Sequence, residues 1–184
     1  MSGVILRIVC LLLFLSVGSA GAADKWLPLA KDGLHDPNNP GIHELQQPKD
    51  ALSTLPEDTA GNLVSWVEAL RKGVIVPRTN IMPDTKIQVL DLDLIYSKTG
   101  DSWYVRFPHK AHTEWLDCTN CHEKLFKTKF GATGIKMLDI LSGHYCGQCH
   151  GAVAFPLTEC RRCHSVNPDT FTGKIGPQPV GGKP

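Results

Sequence analysis

The sequence predicts a small, mostly irregular and α-helical domain with a β-hairpin at its N-terminal side, preceded by a loop-rich extension with one or two short helices. Three observations lead there. Between Phe107 and Ser165 the pattern Cys-x-x-Cys-His occurs three times, as Cys118 to His122, Cys146 to His150 and Cys160 to His164. That stretch holds few large apolar side chains, and about sixty residues cannot build much of a core by themselves. Residues 86–107 alternate apolar and polar at period two around a turn, the pattern of a two-stranded hairpin.

Cys-x-x-Cys-His reads as c-type haem attachment. Two thiols add across the vinyl groups of one haem, and the histidine behind them reaches an axial position on iron. Structural zinc uses Cys-x-x-Cys pairs, and a redox dithiol or disulfide framework uses them too. Neither rival requires a histidine after each pair. Of the seven cysteines, Cys10 lies in an N-terminal apolar run, and the other six, Cys118, Cys121, Cys146, Cys149, Cys160 and Cys163, all belong to the three motifs. No spare thiol is left for a nucleophile or a second metal centre.

Three six-coordinate irons ligated only by histidine need six histidines. Phe107 to Ser165 contains six: His109, His112, His122, His144, His150 and His164, with His35 and His43 outside. His109 and His112 stand three apart in Phe107-Pro108-His109-Lys110-Ala111-His112 and share a face on a helical turn. Such a pair is otherwise a common surface feature, but the iron count makes both candidate distal ligands. Three broad apolar plates tied to the chain would replace a side-chain core, and the haem-free chain is expected to be largely unfolded.

Residues 1–23 read as a secretory signal peptide. Arg7 precedes an apolar run from Ile8 to Val17, and small residues from Gly18 to Ala23 offer cleavage after Ala20, Ala22 or Ala23. The run is too short for a membrane span; a retained anchor is the alternative. Export suits c-type haem, which bacteria attach outside the cytoplasmic membrane, so the expected location is periplasmic, without stable membrane insertion after cleavage.

The extension, residues 24–85, is dense in turn formers such as Asp32-Gly33, Asp36-Pro37 and Asn38-Asn39-Pro40-Gly41. A short helix is expected from Gln47 to Leu52. A second, amphipathic helix over Leu63 to Leu70 is ended by Gly73. Its stripe of Leu63, Trp66, Val67 and Leu70 should pack on the following domain, with partner docking as the alternative. Residues 24–101 carry twelve acidic and eight basic side chains against five and eight over 106–162, which favours the extension lying against that domain. The formal net charge is only +1 and no basic run occurs, so nothing points to nucleic acid.

In the hairpin, Leu90, Leu92, Leu94 and Tyr96 alternate with Asp91 and Asp93; Lys98-Thr99-Gly100-Asp101 turns, and Trp103-Tyr104-Val105 returns. It runs straight into His109 and His112 and should fix where they point. Leu125, Phe126 and Phe130 supply apolar wall after the first motif, and Gly131 and Gly134 break any long helix. The haem domain is placed at 86–166 and a flexible Gly/Pro-rich tail at 167–184.

The hairpin, the F-P-H-K-x-H turn and the three motifs in this order resemble the triheme c7-type cytochromes of the cytochrome c3 superfamily, over roughly Lys86 to Ser165. The resemblance implies a haem-cored c3/c7-like fold, three covalently bound c-type haems, and electron transfer between redox protein partners rather than catalysis. It implies that His109 pairs with His122 on the first haem and His112 with His150 on the second. On the third, His164 is proximal. Small members place the distal histidine four residues before the second motif, whereas His144 is two before Cys146; related domains use a methionine, and Met137 is nine before it. His144 is favoured on the ligand count, with Met137, His35 or an open position as alternatives. The expected function is a periplasmic triheme carrier of single electrons. The alternatives are a haem enzyme or gas-binding sensor using an open third haem, and an electron-transfer subunit of a larger complex. Lys110, Lys124, Lys127, Lys129, Arg161 and Arg162 are candidates for a docking face, against plain solvated surface.

Overall fold

The computed structural model describes residues 25–179; the expected signal peptide and residues 180–184 lie outside them. The chain divides into two compact units between Thr54 and Leu55. In the described part of the first, short helical turns follow or begin at prolines, Pro28 capping one and Pro40 and Pro48 opening the others at a first helical position that their fixed φ suits. These are 3₁₀ turns at Leu29–Lys31 and Pro40–Glu44 and helix α1 at Pro48–Leu52. The Asn39 side chain accepts from the Gly41 N–H at 2.9 Å, the Leu29 N–H donates to Gln47 Oε1 at 3.1 Å, and Leu29 and Ile42 are buried.

The second unit is organised on a four-stranded antiparallel sheet in the order β3-β2-β1-β4, with β1 at Leu92–Tyr96, β2 at Tyr104–Pro108, β3 at His164–Val166 and β4 at Gly176–Pro179. Two expectations change here. The sheet has four strands rather than two, starting at Leu92. The stretch from 167 also contains a strand where composition reads a flexible tail. Pro177 and Pro179 cannot donate to a ladder, but β4 is an edge strand, where proline is tolerated. Gly176, at φ 109°, turns the chain into place in a region that favours glycine.

Around the sheet lie α2 (Trp66–Arg71), α3 (Pro77–Ile81), α4 (His109–Thr113), α5 (Cys118–Cys121), α6 (Met137–Leu141), a 3₁₀ turn at Tyr145–Gln148 and α7 (Cys160–Cys163). The helix expected over 63–70 is shorter. Leu63 sits outside it at φ 64°, and the residues fully buried are Val64 and Ala69 while the expected stripe is only half-buried. In β1 the buried residue is Ile95, on the face shared with Asp93, not the leucine face.

The boundary expected after residue 85 also moves. Arg71 Nε donates to both carboxylate oxygens of Glu114 at 3.0 and 2.9 Å. Arg78 pairs with Asp117, and Arg162 with Asp58. Residues 55–85 are thus fastened by opposite charges to the chain that follows, and belong to its unit. Over 105–165 only Thr113 is fully buried among the described residues. No helix of the described residues is long and apolar enough to cross a membrane.

Candidate functional site

The three cysteine motifs fold alike at their first step. Cys118 and Cys121 occupy α5, Cys160 and Cys163 occupy α7, and Cys146 lies in the 3₁₀ turn with Cys149 at its end. A single helical turn puts residues three apart on one face, so each pair presents its two thiols together. Asn120 Oδ1 accepts from the Asp117 N–H at 2.7 Å and closes the start of α5. In the second motif Gly147 is required, because a Cβ there would run into the Ile140 carbonyl.

All six thiols are free, with Cys118, Cys149 and Cys160 exposed. Burial pushes the Cys146 thiol up to about 11, and the charge of Cys163 adds to it. Burial also raises Cys121, with Cys149 and Cys118 contributing, and raises Cys163, with Cys160 contributing. The mutual effects of Cys146, Cys163, Cys121 and Cys149 place the three motifs close together. Raised thiols are the opposite of what a reactive dithiol needs. Among the described residues no group of three or more His, Cys, Asp or Glu converges as a metal cluster.

The histidines carry the decisive geometry. Five rings direct Nδ1 at a backbone carbonyl: His109 at Leu92 (3.2 Å), His112 at Pro108 (2.8 Å), His122 at Phe126 (2.9 Å), His150 at Phe155 (3.2 Å) and His164 at Trp103 (2.7 Å). A carbonyl can only accept, so each ring carries its proton on Nδ1 and leaves the Nε2 lone pair for a metal. This outer support is how metal-ligating histidines are oriented. Three of the five carbonyls, those of Leu92, Pro108 and Trp103, belong to β1, β2 and the residue just before β2. The other two come from tight turns behind the motifs. Gly151, at φ 102°, bends the chain after His150 so that Phe155 returns to it.

Two of the rings are also brought together. His112 and His150 have centroids 6.2 Å apart, the separation that two imidazoles take across one ion with bonds of about 2 Å to each. His109 is held below its ordinary value mainly by burial and in part by the charge of His122; His112 likewise by burial and then by His150. Burial lowers His150 too. Neutral rings with a free Nε2, paired thiols and half-buried apolar walls fit c-type haem. The leucine face of the sheet looks onto the cluster. Tyr96 feels the charge of Cys146 and packs its ring 4.9 Å from Phe130, and Phe107, opposite Leu94, stacks on His112 at 4.3 Å.

His144 and Met137 stand apart from this pattern. Both are exposed, Met137 opening α6 and His144 preceding the 3₁₀ turn, and among the described residues no carbonyl holds the His144 ring.

Residues 105–165 match the family of cytochrome c7 and related cytochrome c. A solved c7-type three-heme cytochrome domain is 32% identical over 44% of this chain and 99% of its own, with a TM-score of 0.38. Through this segment the chain belongs to the c7-type multihaem cytochromes. The C-terminal hexaheme fragment of GSU1996 is 32% identical over 42% of this chain, which spans 49% of that fragment, with a TM-score of 0.37. No curated relative matches.

A c7-type cytochrome binds c-type haem covalently and serves electron transfer. Its basic side chains are less free here than the sequence reads. Lys110 lies 3.5 Å from Asp91 and Lys127 3.5 Å from Glu123, the Arg161 guanidinium lies 4.1 Å from the centre of the Trp103 ring, and Arg162 is held by Asp58 and Glu159. Sequence reasoning missed Thr113. Its buried hydroxyl donates to the His109 carbonyl at 2.9 Å and accepts from the Leu90 N–H at 3.0 Å, tying α4 to the lead-in of β1. A threonine beside two ligand candidates is the only signal of it in the sequence.

Proposed function

We propose that the chain is a periplasmic triheme cytochrome passing single electrons between redox protein partners. Cys118 with Cys121, Cys146 with Cys149, and Cys160 with Cys163 are the attachment points. His122, His150 and His164 are the proximal ligands, and His109 and His112 the distal ligands of the first and second haem. His144 completes the third, with Met137 as the alternative. Bound haem supplies a one-electron iron couple. The chain's own work is to hold each neutral imidazole by its Nδ1–H, to keep water from the half-buried rings, and to gather the three motifs near one another. The five carbonyl-held rings carry this reading.

Mass spectrometry of the mature exported protein tests it: the mass should exceed that of the polypeptide by three haems and begin after Ala20, Ala22 or Ala23. An unmodified mass would end the proposal. The second reading, a gas-binding sensor or haem enzyme at the third site, draws on the exposed His144 ring. Stoichiometric carbon monoxide binding to the reduced protein would favour it, whereas a carrier with full coordination should bind none. Lys124 and Lys129 are the part of the basic face proposed for partner docking; charge reversal there should slow reduction by a partner and weaken its salt dependence.

A further inference from the structure

Residues 55–65 lie outside the segment that matches the family, yet they deliver a carboxylate to the third motif. Their loop closes on itself. The Ser65 N–H donates to the Pro56 carbonyl at 2.8 Å, the Asp58 N–H donates to the Leu63 carbonyl at 2.9 Å, and Glu57 bridges Val64. Gly61 at φ 60° and Leu63 at φ 64° both take the left-handed region, where a leucine is held only if its surroundings insist. Val64, 4% exposed, anchors the loop. The Asp58 backbone is therefore fixed independently of what its side chain meets.

What it meets is Arg162, which stands between the two cysteines of the third motif. Arg162 Nη1 donates to Asp58 Oδ2 at 2.9 Å and Nη2 donates to Oδ1, a two-point clasp, while Nη2 also reaches Thr59 Oγ1 at 3.2 Å and Nε reaches Glu159 Oε2 at 3.4 Å. The same guanidinium lies 5.2 Å from the centre of the Phe155 ring. Phe155 in turn packs its ring 4.3 Å from that of His150 and accepts the His150 Nδ1–H on its carbonyl. The Arg162 and Asp58 side chains are 29% and 22% exposed, so solvent screens their charges only in part.

We propose that Asp58 is a positioning residue for the second and third haem sites: by clasping Arg162 it seats the third motif, backs Phe155 against His150, and neutralises a cation that would otherwise raise the reduction potential of both irons. This rests on the proposed function. Reduction adds an electron at iron, so an unopposed positive charge nearby favours the reduced form. The effect should be largest at the third site, where Arg162 lies within the motif, and at the second, which it reaches through Phe155, and smallest at the first, which is held by His109 and His122 with the Leu92 and Phe126 carbonyls.

The test uses the mature holoprotein, with haem loading verified by mass. Site-resolved redox titration by NMR is run on wild type, Asp58→Asn, Asp58→Glu, Arg162→Gln and the Asp58→Asn/Arg162→Gln double variant. The second and third potentials should rise in Asp58→Asn, return toward wild type in Asp58→Glu, fall in Arg162→Gln, and lie nearer wild type in the double variant than in either single one. The first potential should move least. A fully loaded Asp58→Asn that melts lower but shifts no potential would reduce the clasp to a structural tie, and an equal shift at all three sites would also overturn the proposal. If Asp58→Asn fails to mature, Arg162→Gln decides: it must lower the same two potentials, and no shift overturns the idea. Absent haem in the wild type would instead overturn the proposed function itself.

Discussion

The His112 ring stands 6.2 Å from that of His150 at an interplanar angle of 64°, although one lies on α4 and the other closes the second cysteine motif. Each is fixed from behind by a carbonyl, that of Pro108 and that of Phe155. Two independent anchors that converge on one spacing suit the two ligands proposed for the second haem. His112→Ala should therefore convert one haem from low-spin to five-coordinate or water-ligated iron, seen as a high-spin fraction in visible and EPR spectra equal to one site's share. His109→Ala should do the same at a different site. Low-spin spectra unchanged in both variants would refute the assignment.

The Thr113 hydroxyl makes the second prediction. Thr113→Val keeps the shape but strands the Leu90 N–H and frees α4 from β1. Losing a part-buried hydrogen bond of this kind costs about 0.5–1.5 kcal/mol, so guanidinium unfolding of the holoprotein should report a loss of that order, and Thr113→Ser should recover most of it. A neutral Thr113→Val would mean that water replaces the hydroxyl.

How far the sequence discloses this molecule depends on how local each feature is. The thiol pairs and their trailing histidines are legible because one helical turn brings them together, and His109 and His112 are legible for the same reason. The carbonyls behind the rings are not. His164 leans on Trp103 only because β3 pairs with β2, a long-range choice that no spacing announces. Strand β4 is hidden by its own composition, since glycine and proline signal breaks except on a sheet edge. Alternation in β1 separates two faces correctly but not which is buried: the leucine face looks onto the cysteines and histidines, and Ile95 takes the core. Asp58 and Arg162 meet across more than a hundred residues of chain, where sequence offers only an excess of acid on one side and of base on the other.

Acid should release the proposed histidine ligands. Burial, before any other cause, holds His109, His112 and His150 below their ordinary 6.5. A histidine whose value is lowered by folding contributes stability that is fully present above 6.5 and is lost as the pH falls through the lowered value. The melting temperature of the holoprotein should therefore be flat between about pH 7 and 8 and decline below about 6.5, accompanied by growth of high-spin signal. A melting temperature that falls as the pH is raised from 6 to 8 would contradict the neutral-ring arrangement.

The third site separates His144 from Met137 by spectrum. His144 follows Gly143, whose φ of 85° turns the chain directly before the second motif, and its N–H is tied to the Asp139 carbonyl at 2.9 Å. Met137 lies further back at the start of α6. With histidine as the ligand, the oxidised protein should lack the long-red band of methionine-ligated haem; His144→Ala should turn the third haem high-spin, and Met137→Ala should leave its spectrum as it was. The consequence reaches the potential, since methionine in place of histidine raises it. A long-red band in the wild type that disappears in Met137→Ala would transfer the ligand to Met137 and make the third haem the highest in potential of the set.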